Sequence, residues 1–205
     1  MTEIISDPTR IFLIDQDGVM ADFDGEVVRR MTERHPDIQQ LASASANPQF
    51  YTALNYPEEA RDTVWGISNE AGFIESLPLV PGVQEGWERL RSAGFWLRVC
   101  TAPLPEKYMP TCRAEKIAWL THHFGRAVAE QAIFTTRKHE QQGVGLLDDK
   151  PEITNAKKAR WHHVIFDRPC NRDDDTNRLR VVGWDDPDLV EKAYEARALA
   201  LARRR

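Results

Sequence analysis

Across 205 residues, 41% of them hydrophobic, the chain carries a formal net charge of −5, enough apolar material for one good core with residues left for a small accessory domain. The acidic balance excludes a reader of nucleic-acid backbones, which would gather phosphates on a basic surface, so the expected partner is small. Cys100, Cys112 and Cys170 are an odd count without close spacing, which suits reduced thiols used for packing in a cytosolic protein rather than a disulfide framework.

In chain order, the opening MTEIISDPTR has neither the basic n-region nor the apolar h-region of a signal peptide, and no apolar run approaches membrane-spanning length. A soluble cytoplasmic protein is expected. Ile11-Phe12-Leu13-Ile14 is a short apolar run that stops abruptly at Asp15, as a fully buried parallel strand would. Residues 21–78 then read as helical, with few strand-like runs and several aromatics, and Pro78, Pro81 and Gly82 supply turn chemistry for a return to the main body. A helical pattern runs from Val83 to Ala93, a strand from Trp96 to Cys100 ending at Thr101, and a helix from Cys112 to Phe124. Two more strands follow, Val144 to Leu147 ending at Asp148 and His163 to Phe166 ending at Asp167. The terminal ALALARRR suits a frayed helix end with its cations against the helix dipole. Strands alternating with helices predict an α/β fold with a doubly wound, mainly parallel sheet. The division expected is a catalytic core of residues 1–20 and 79–205 with a helical cap of residues 21–78. In such sheets ligands gather at the carboxyl ends of the strands, so the polar residues ending these runs are candidates for one site.

Asp15-Gln16-Asp17-Gly18 sets two carboxylates two residues apart beyond a buried strand, with a glycine that permits a sharp turn. Extended backbone points both side chains the same way. Two anions that close imply a divalent metal or one aspartate with a raised pKa, although an Asp-Gly turn at a strand end is a common structural feature in itself. Thr101 adds a hydroxyl, Lys138 a cation, and Asp148-Asp149 two further carboxylates. Together these supply what phosphoryl transfer needs: an anionic nucleophile, oxygen ligands for a hard metal, and donors for the phosphoryl oxygens.

The order DxDGV, VCT, Lys, LLDD resembles the four motifs of the haloacid-dehalogenase superfamily, whose core is a Rossmann-like sheet. The resemblance implies that Asp15 is a nucleophile forming an aspartyl-phosphate and that Asp17 is the acid/base partner. It also implies that Thr101, Lys138 and the backbone N–H of Ala102 hold the phosphoryl group, and that Asp148 and Asp149, with the Asp15 side chain and the Asp17 backbone carbonyl, organise Mg2+. More closely, DGVMADF, TAPL, the lysine before LLDDKPEITNA, and WHHVIF look like the 5'(3')-deoxyribonucleotidases, small nucleotidases with a helical cap after the first strand. That similarity implies a deoxyribonucleoside monophosphate substrate whose base stacks on cap aromatics, here Phe23, Phe50, Tyr51 and Trp65, with Phe73 as a further candidate. Aromatics in a small helical insert also serve as its own core. Two departures stand out. Thr135-Thr136-Arg137-Lys138 displaces by one position an arginine the family carries, and Ala102 replaces a serine.

Other clusters read as structural. Asp173-Asp174-Asp175 lacks the spacing and glycine of a Ca2+ loop, the pairs His122-His123 and His162-His163 point their members apart, and Asp185-Asp186 suits a turn into the last helix. A signalling receiver domain gathers similar groups but opens with its acidic pair and closes with its lysine, the reverse of the order here. A non-hydrolytic Mg2+ or phosphate sensor would not need Asp17. The expected activity is Mg2+-dependent hydrolysis of deoxyribonucleoside monophosphates, with another small metabolite such as a sugar phosphate as the alternative because fold does not fix substrate. No nucleic-acid polymer or membrane partner is expected, and a homodimer is left open.

Overall fold

Strand β1 (Ile11–Ile14) is buried at all four positions because it has a parallel neighbour on each side. It pairs with β2 (Trp96–Thr101) in the register Ile11 to Trp96 and with β4 (Gly145–Asp148) in the register Phe12 to Gly145. The structure, a computed structural model, describes residues 7–41, 48–172 and 178–204. Within them β3 (Ile133–Phe134), β5 (His162–Phe166) and β6 (Arg180–Val181) complete a six-stranded sheet of order β3-β2-β1-β4-β5-β6, with every pairing parallel. The chain steps outward in one direction from β1 through β3, then restarts at β4 on the other side of β1. This is a Rossmann-like α/β arrangement, and its reversal of strand order falls between β1 and β4, where such sheets open a crevice.

Period-two alternation divides β1 between two clusters. Phe12 and Ile14 join the larger core with Val99, Leu147, Val164 and the buried faces of the helices. Ile11 and Leu13 join Cys100, Leu146 and Trp161. Helices contributing to the larger cluster from the part of the chain after residue 80 are α3 (Val83–Ser92), α4 (Cys112–Phe124), α5 (Arg126–Gln131) and α6 (Leu189–Ala202). The strands and helices read from the sequence appear within a residue or two of their expected bounds. The pairs β3 and β6 were not expected, because two residues carry no periodicity.

Between β1 and α3 run α1 (Phe23–Arg34), single 3-10 turns at Thr52–Asn55 and Glu58–Ala60, and α2 (Arg61–Ser68). Asp22 starts α1 by accepting the Gly25 N–H. The outgoing and returning backbones lie side by side: Asp22 N–H donates to Pro78 O at 2.9 Å and Val80 N–H to Met20 O at 2.8 Å, around an antiparallel bridge between Ala21 and Leu79. The apolar side chains of this segment, among them Val27, Met31, Tyr56, Val64 and Ile74, belong to the same cluster as Phe12 and Ile14. The segment is therefore seated on the sheet's own core.

Candidate active site

The carboxyl ends of β1 and β4 bring the predicted acids together. The Asp15 N–H donates to Leu147 O at 2.9 Å, so the ladder continues one residue past β1 and fixes where the Asp15 side chain leaves the sheet. Asp148 ends β4 with no exposure, and Asp149 follows it, buried. One carboxylate oxygen from each of Asp15, Asp148 and Asp149 lies within 4.8 Å of the others. Gly18 makes the approach feasible: its φ is +72°, and a Cβ there would sit 1.9 Å from Asp149 Oδ2, so the loop after β1 can close over Asp149 only without a side chain.

Lys138 enters this group from the 3-10 turn after β3. Its Nζ lies 2.8 Å from Asp15 Oδ2 and 2.6 Å from Asp148 Oδ2, and its carbonyl is tied down by the Trp161 indole N–H at 3.0 Å. Burial by itself would lower the lysine's pKa, but the Asp148 and Asp15 carboxylates outweigh it and hold the ammonium charged. One cation does not balance three carboxylates. Burial pushes Asp148 up to about 6, with the Asp15 charge adding to it and Lys138 opposing. Burial, then the charges of Asp148 and Asp15, hold Asp149 well above the carboxylate range. An all-oxygen donor set with surplus negative charge fits a hard divalent cation of the Mg2+ type.

Asp17 stands outside that group. Its Oδ2 accepts from Lys116 Nζ at 2.6 Å, while Oδ1 is buried without a partner among the described residues. Lys116, on α4 and fully buried, also donates to Thr101 Oγ1 at 3.1 Å. It was not singled out from the sequence, since a lysine in a helix ordinarily reads as a solvated position.

All the site residues expected from the sequence except the further candidate Phe73 line one cavity of about 870 Å3: Asp15, Asp17, Thr101, Ala102, Lys138, Asp148 and Asp149 on the sheet side, and Phe23, Phe50, Tyr51 and Trp65 on the side of the inserted segment. Thr136, Tyr108 and Lys150 line it as well. The aromatics do not form parallel plates. Phe50 and Tyr51 meet edge-on at 5.3 Å, Tyr51 and Trp65 are tilted at 6.1 Å, and Lys150 Nζ sits 5.5 Å over the Phe50 ring. Phe73 is not part of the wall. It is wholly buried and packs edge-on behind Phe23 at 5.2 Å.

The displaced Arg137 turns away from the cavity. Its side chain is 71% exposed and pairs with Glu140 at 3.4 Å, leaving Thr136 on the wall. Asp186 accepts the N–H groups of Val182 and Asp188, each at 2.9 Å, and the Lys192 ammonium, so it holds the turn before α6. His122 meets His123 edge-on at 4.6 Å, and His123 lies tilted against Trp119 at 4.6 Å. Neutral His163 is buried beside Arg178, far below its usual pKa at about 3 through burial first and the arginine second. Asp173-Asp174-Asp175 lies outside the described residues.

The family described as "5' nucleotidase, deoxy (Pyrimidine), cytosolic type C protein" matches residues 9–199. A Bordetella pertussis (strain Tohama I) protein named "Putative 5'(3')-deoxyribonucleotidase" is 39% identical over 175 residues, covering 85% of this chain and 92% of its own. The human cytosolic-type 5'(3')-deoxyribonucleotidase is 30% identical over 85% of this chain and 89% of its own, and the human mitochondrial one 32% identical over 75% and 68%.

Proposed function

The chain belongs to the cytosolic type C family of deoxy 5'-nucleotidases, phosphoric monoester hydrolases of the haloacid-dehalogenase superfamily, and from that premise we propose that it hydrolyses deoxyribonucleoside monophosphates through a phosphorylated Asp15 with Mg2+ bound. The observation that carries this reading is a single cavity with two unlike walls, one of acids and lysine and one of aromatics. A phosphate monoester attached to a planar base needs both.

In the proposed reaction an Asp15 carboxylate oxygen attacks phosphorus, the bond to the ester oxygen breaks, and Asp17 delivers a proton to the departing alkoxide. Asp17, now a carboxylate, takes a proton from water as that water attacks the aspartyl-phosphate, which releases inorganic phosphate and restores Asp15. Lys116 holds Asp17 Oδ2, which leaves Oδ1 to move the proton. Lys138, Thr101 and the Ala102 N–H take the phosphoryl oxygens. Asp15, Asp148 and Asp149 with the Asp17 carbonyl would hold Mg2+, which when bound supplies positive charge against the phosphoryl group and the crowded acids. We assign residues 21–78 as the cap that presents Phe23, Phe50, Tyr51 and Trp65 to the nucleoside, and residues 1–20 and 79–205 as the core. Cys100, Cys112 and Cys170 are free, in keeping with a cytoplasmic setting.

Phosphate release measured with Mg2+ across nucleotides and sugar phosphates tests the reading. Turnover should be best on a deoxyribonucleoside monophosphate and absent in Asp15→Asn. No release from any monoester would sink the mechanism, and equal rates on sugars and nucleotides would sink the substrate class.

A further inference from the structure

One turn of α4 serves both sides of the cavity. Lys116 reaches the sheet side through Asp17 and Thr101, and the residue before it, Glu115, reaches the backbone that lies behind the other wall. Glu115 is 5% exposed. Its Oε1 accepts the Gly72 N–H at 2.8 Å and the Thr111 hydroxyl at 2.6 Å, and its Oε2 accepts the Ile74 N–H at 3.0 Å. One turn further on, the Trp119 indole N–H donates to Leu77 O at 2.7 Å.

The residue between the two pinned N–H groups is Phe73. Its ring has no exposure, meets Phe23 edge-on at 5.2 Å, and is covered by the Arg30 guanidinium at 4.8 Å. Phe23 lines the cavity. A carboxylate that fixes the backbone on both sides of Phe73 therefore fixes the ring behind Phe23, and with it the face that Phe23 offers to a ligand. Bonds from backbone N–H to a buried carboxylate are the strong, charge-assisted kind.

We infer that Glu115 is a positioning residue for substrate selection, acting through Phe73 on Phe23 to set the wall that receives the nucleoside. The inference rests on the nucleotide reading above, and it makes Glu115 and Lys116 neighbours with separate duties: one sets how the base is held, the other how the proton moves.

The test compares kcat and KM of the full-length protein with Mg2+ on a deoxyribonucleoside 5'-monophosphate and on p-nitrophenyl phosphate. Glu115→Gln keeps the size of the side chain but sets an amide N–H against one of the two backbone donors. It should raise KM for the nucleotide about tenfold with kcat little changed, and leave both constants for p-nitrophenyl phosphate within about twofold. Placed in a Phe23→Ala background, it should add less than about twofold, because both changes act on one wall. Equal losses on the two substrates, or a second full tenfold in the Phe23→Ala background, would overturn the inference. If Glu115→Gln does not fold, Thr111→Val decides: it removes only the hydroxyl bond to Oε1 and should raise the nucleotide KM about two- to threefold, and no change would overturn the inference equally. A wild type that cleaves p-nitrophenyl phosphate but no nucleotide would strike the nucleotide reading itself. That result is visible before any variant is compared, and the inference falls with it.

Discussion

At Gly18 even alanine would have to displace a carboxylate, since its Cβ would fall 1.9 Å from Asp149 Oδ2 on a backbone with φ of +72°. The left-handed conformation alone costs a β-carbon about 1–2 kcal/mol, and moving Asp149 disturbs the oxygen cluster. Gly18→Ala should therefore lower the melting temperature and reduce phosphatase activity together, which a thermal melt and an assay on the same preparation will check. Asp15→Asn should leave the fold intact and lower kcat more than about a thousandfold, the size of effect expected for the nucleophile proposed above. Lys116→Met should behave differently from either. With Asp17 Oδ2 released, kcat should fall about a hundredfold on nucleotide and aryl substrates alike with KM little changed. A change confined to KM would show that Lys116 serves binding rather than proton transfer.

Among the elements, the start of α6 is held by a single buried acid. Asp186 binds two backbone N–H groups and Lys192. Burial pushes its pKa up, but these bonds outweigh it and leave the carboxyl below its ordinary value of 3.8. Because the folded pKa is depressed, the stabilisation is complete above the unfolded value and is lost as pH falls through the folded one. Asp186→Asn should cost about 2 kcal/mol at pH 7, roughly 4–8 °C of melting temperature at this chain length. The gap from wild type should close below pH 3.8, and melts across that range will show whether it does. The elements differed in how well the sequence revealed them. Runs such as Ile11–Ile14 and Val144–Leu147 were legible because strands buried on both faces are largely apolar and end where solvent and ligand begin. β3 and β6, two residues each, are defined by their neighbours rather than by any pattern of their own.

For the molecule as a whole, the site was legible to the extent that it consists of strand ends. Asp15, Thr101, Lys138 and Asp148-Asp149 carry their chemistry in residue type and order, and the structure brings them into one cavity. Glu115 and Lys116 were not legible, because what distinguishes them from ordinary helix-surface charges is burial against segments far away in the chain. Phe73 failed as a wall residue for a related reason: a sequence gives aromatic content but not which ring stands in front. A ligand held at the acidic side of the cavity binds the folded chain and not the unfolded one, and so stabilises the fold. Mg2+ with inorganic phosphate at about a hundred times its dissociation constant should stabilise the protein by about 2.7 kcal/mol, a rise of roughly 5–10 °C in melting temperature. The rise should vanish in Asp149→Ala. A rise that persists there would place phosphate binding elsewhere.

The parallel pairing of β1 with β2 and β4 also governs the protein's birth on the ribosome. Ile11–Ile14 is made well before its neighbours, and neither strand that covers its edges exists until residues 96–101 and then 145–148 have followed. At ~5–20 residues per second that is on the order of ten seconds during which the most apolar strand has no partner. The nascent chain thus carries Asp15 and Asp17 long before it can shelter the strand that precedes them, and truncated chains ending before Gly145 should be bound by chaperones and lack activity altogether.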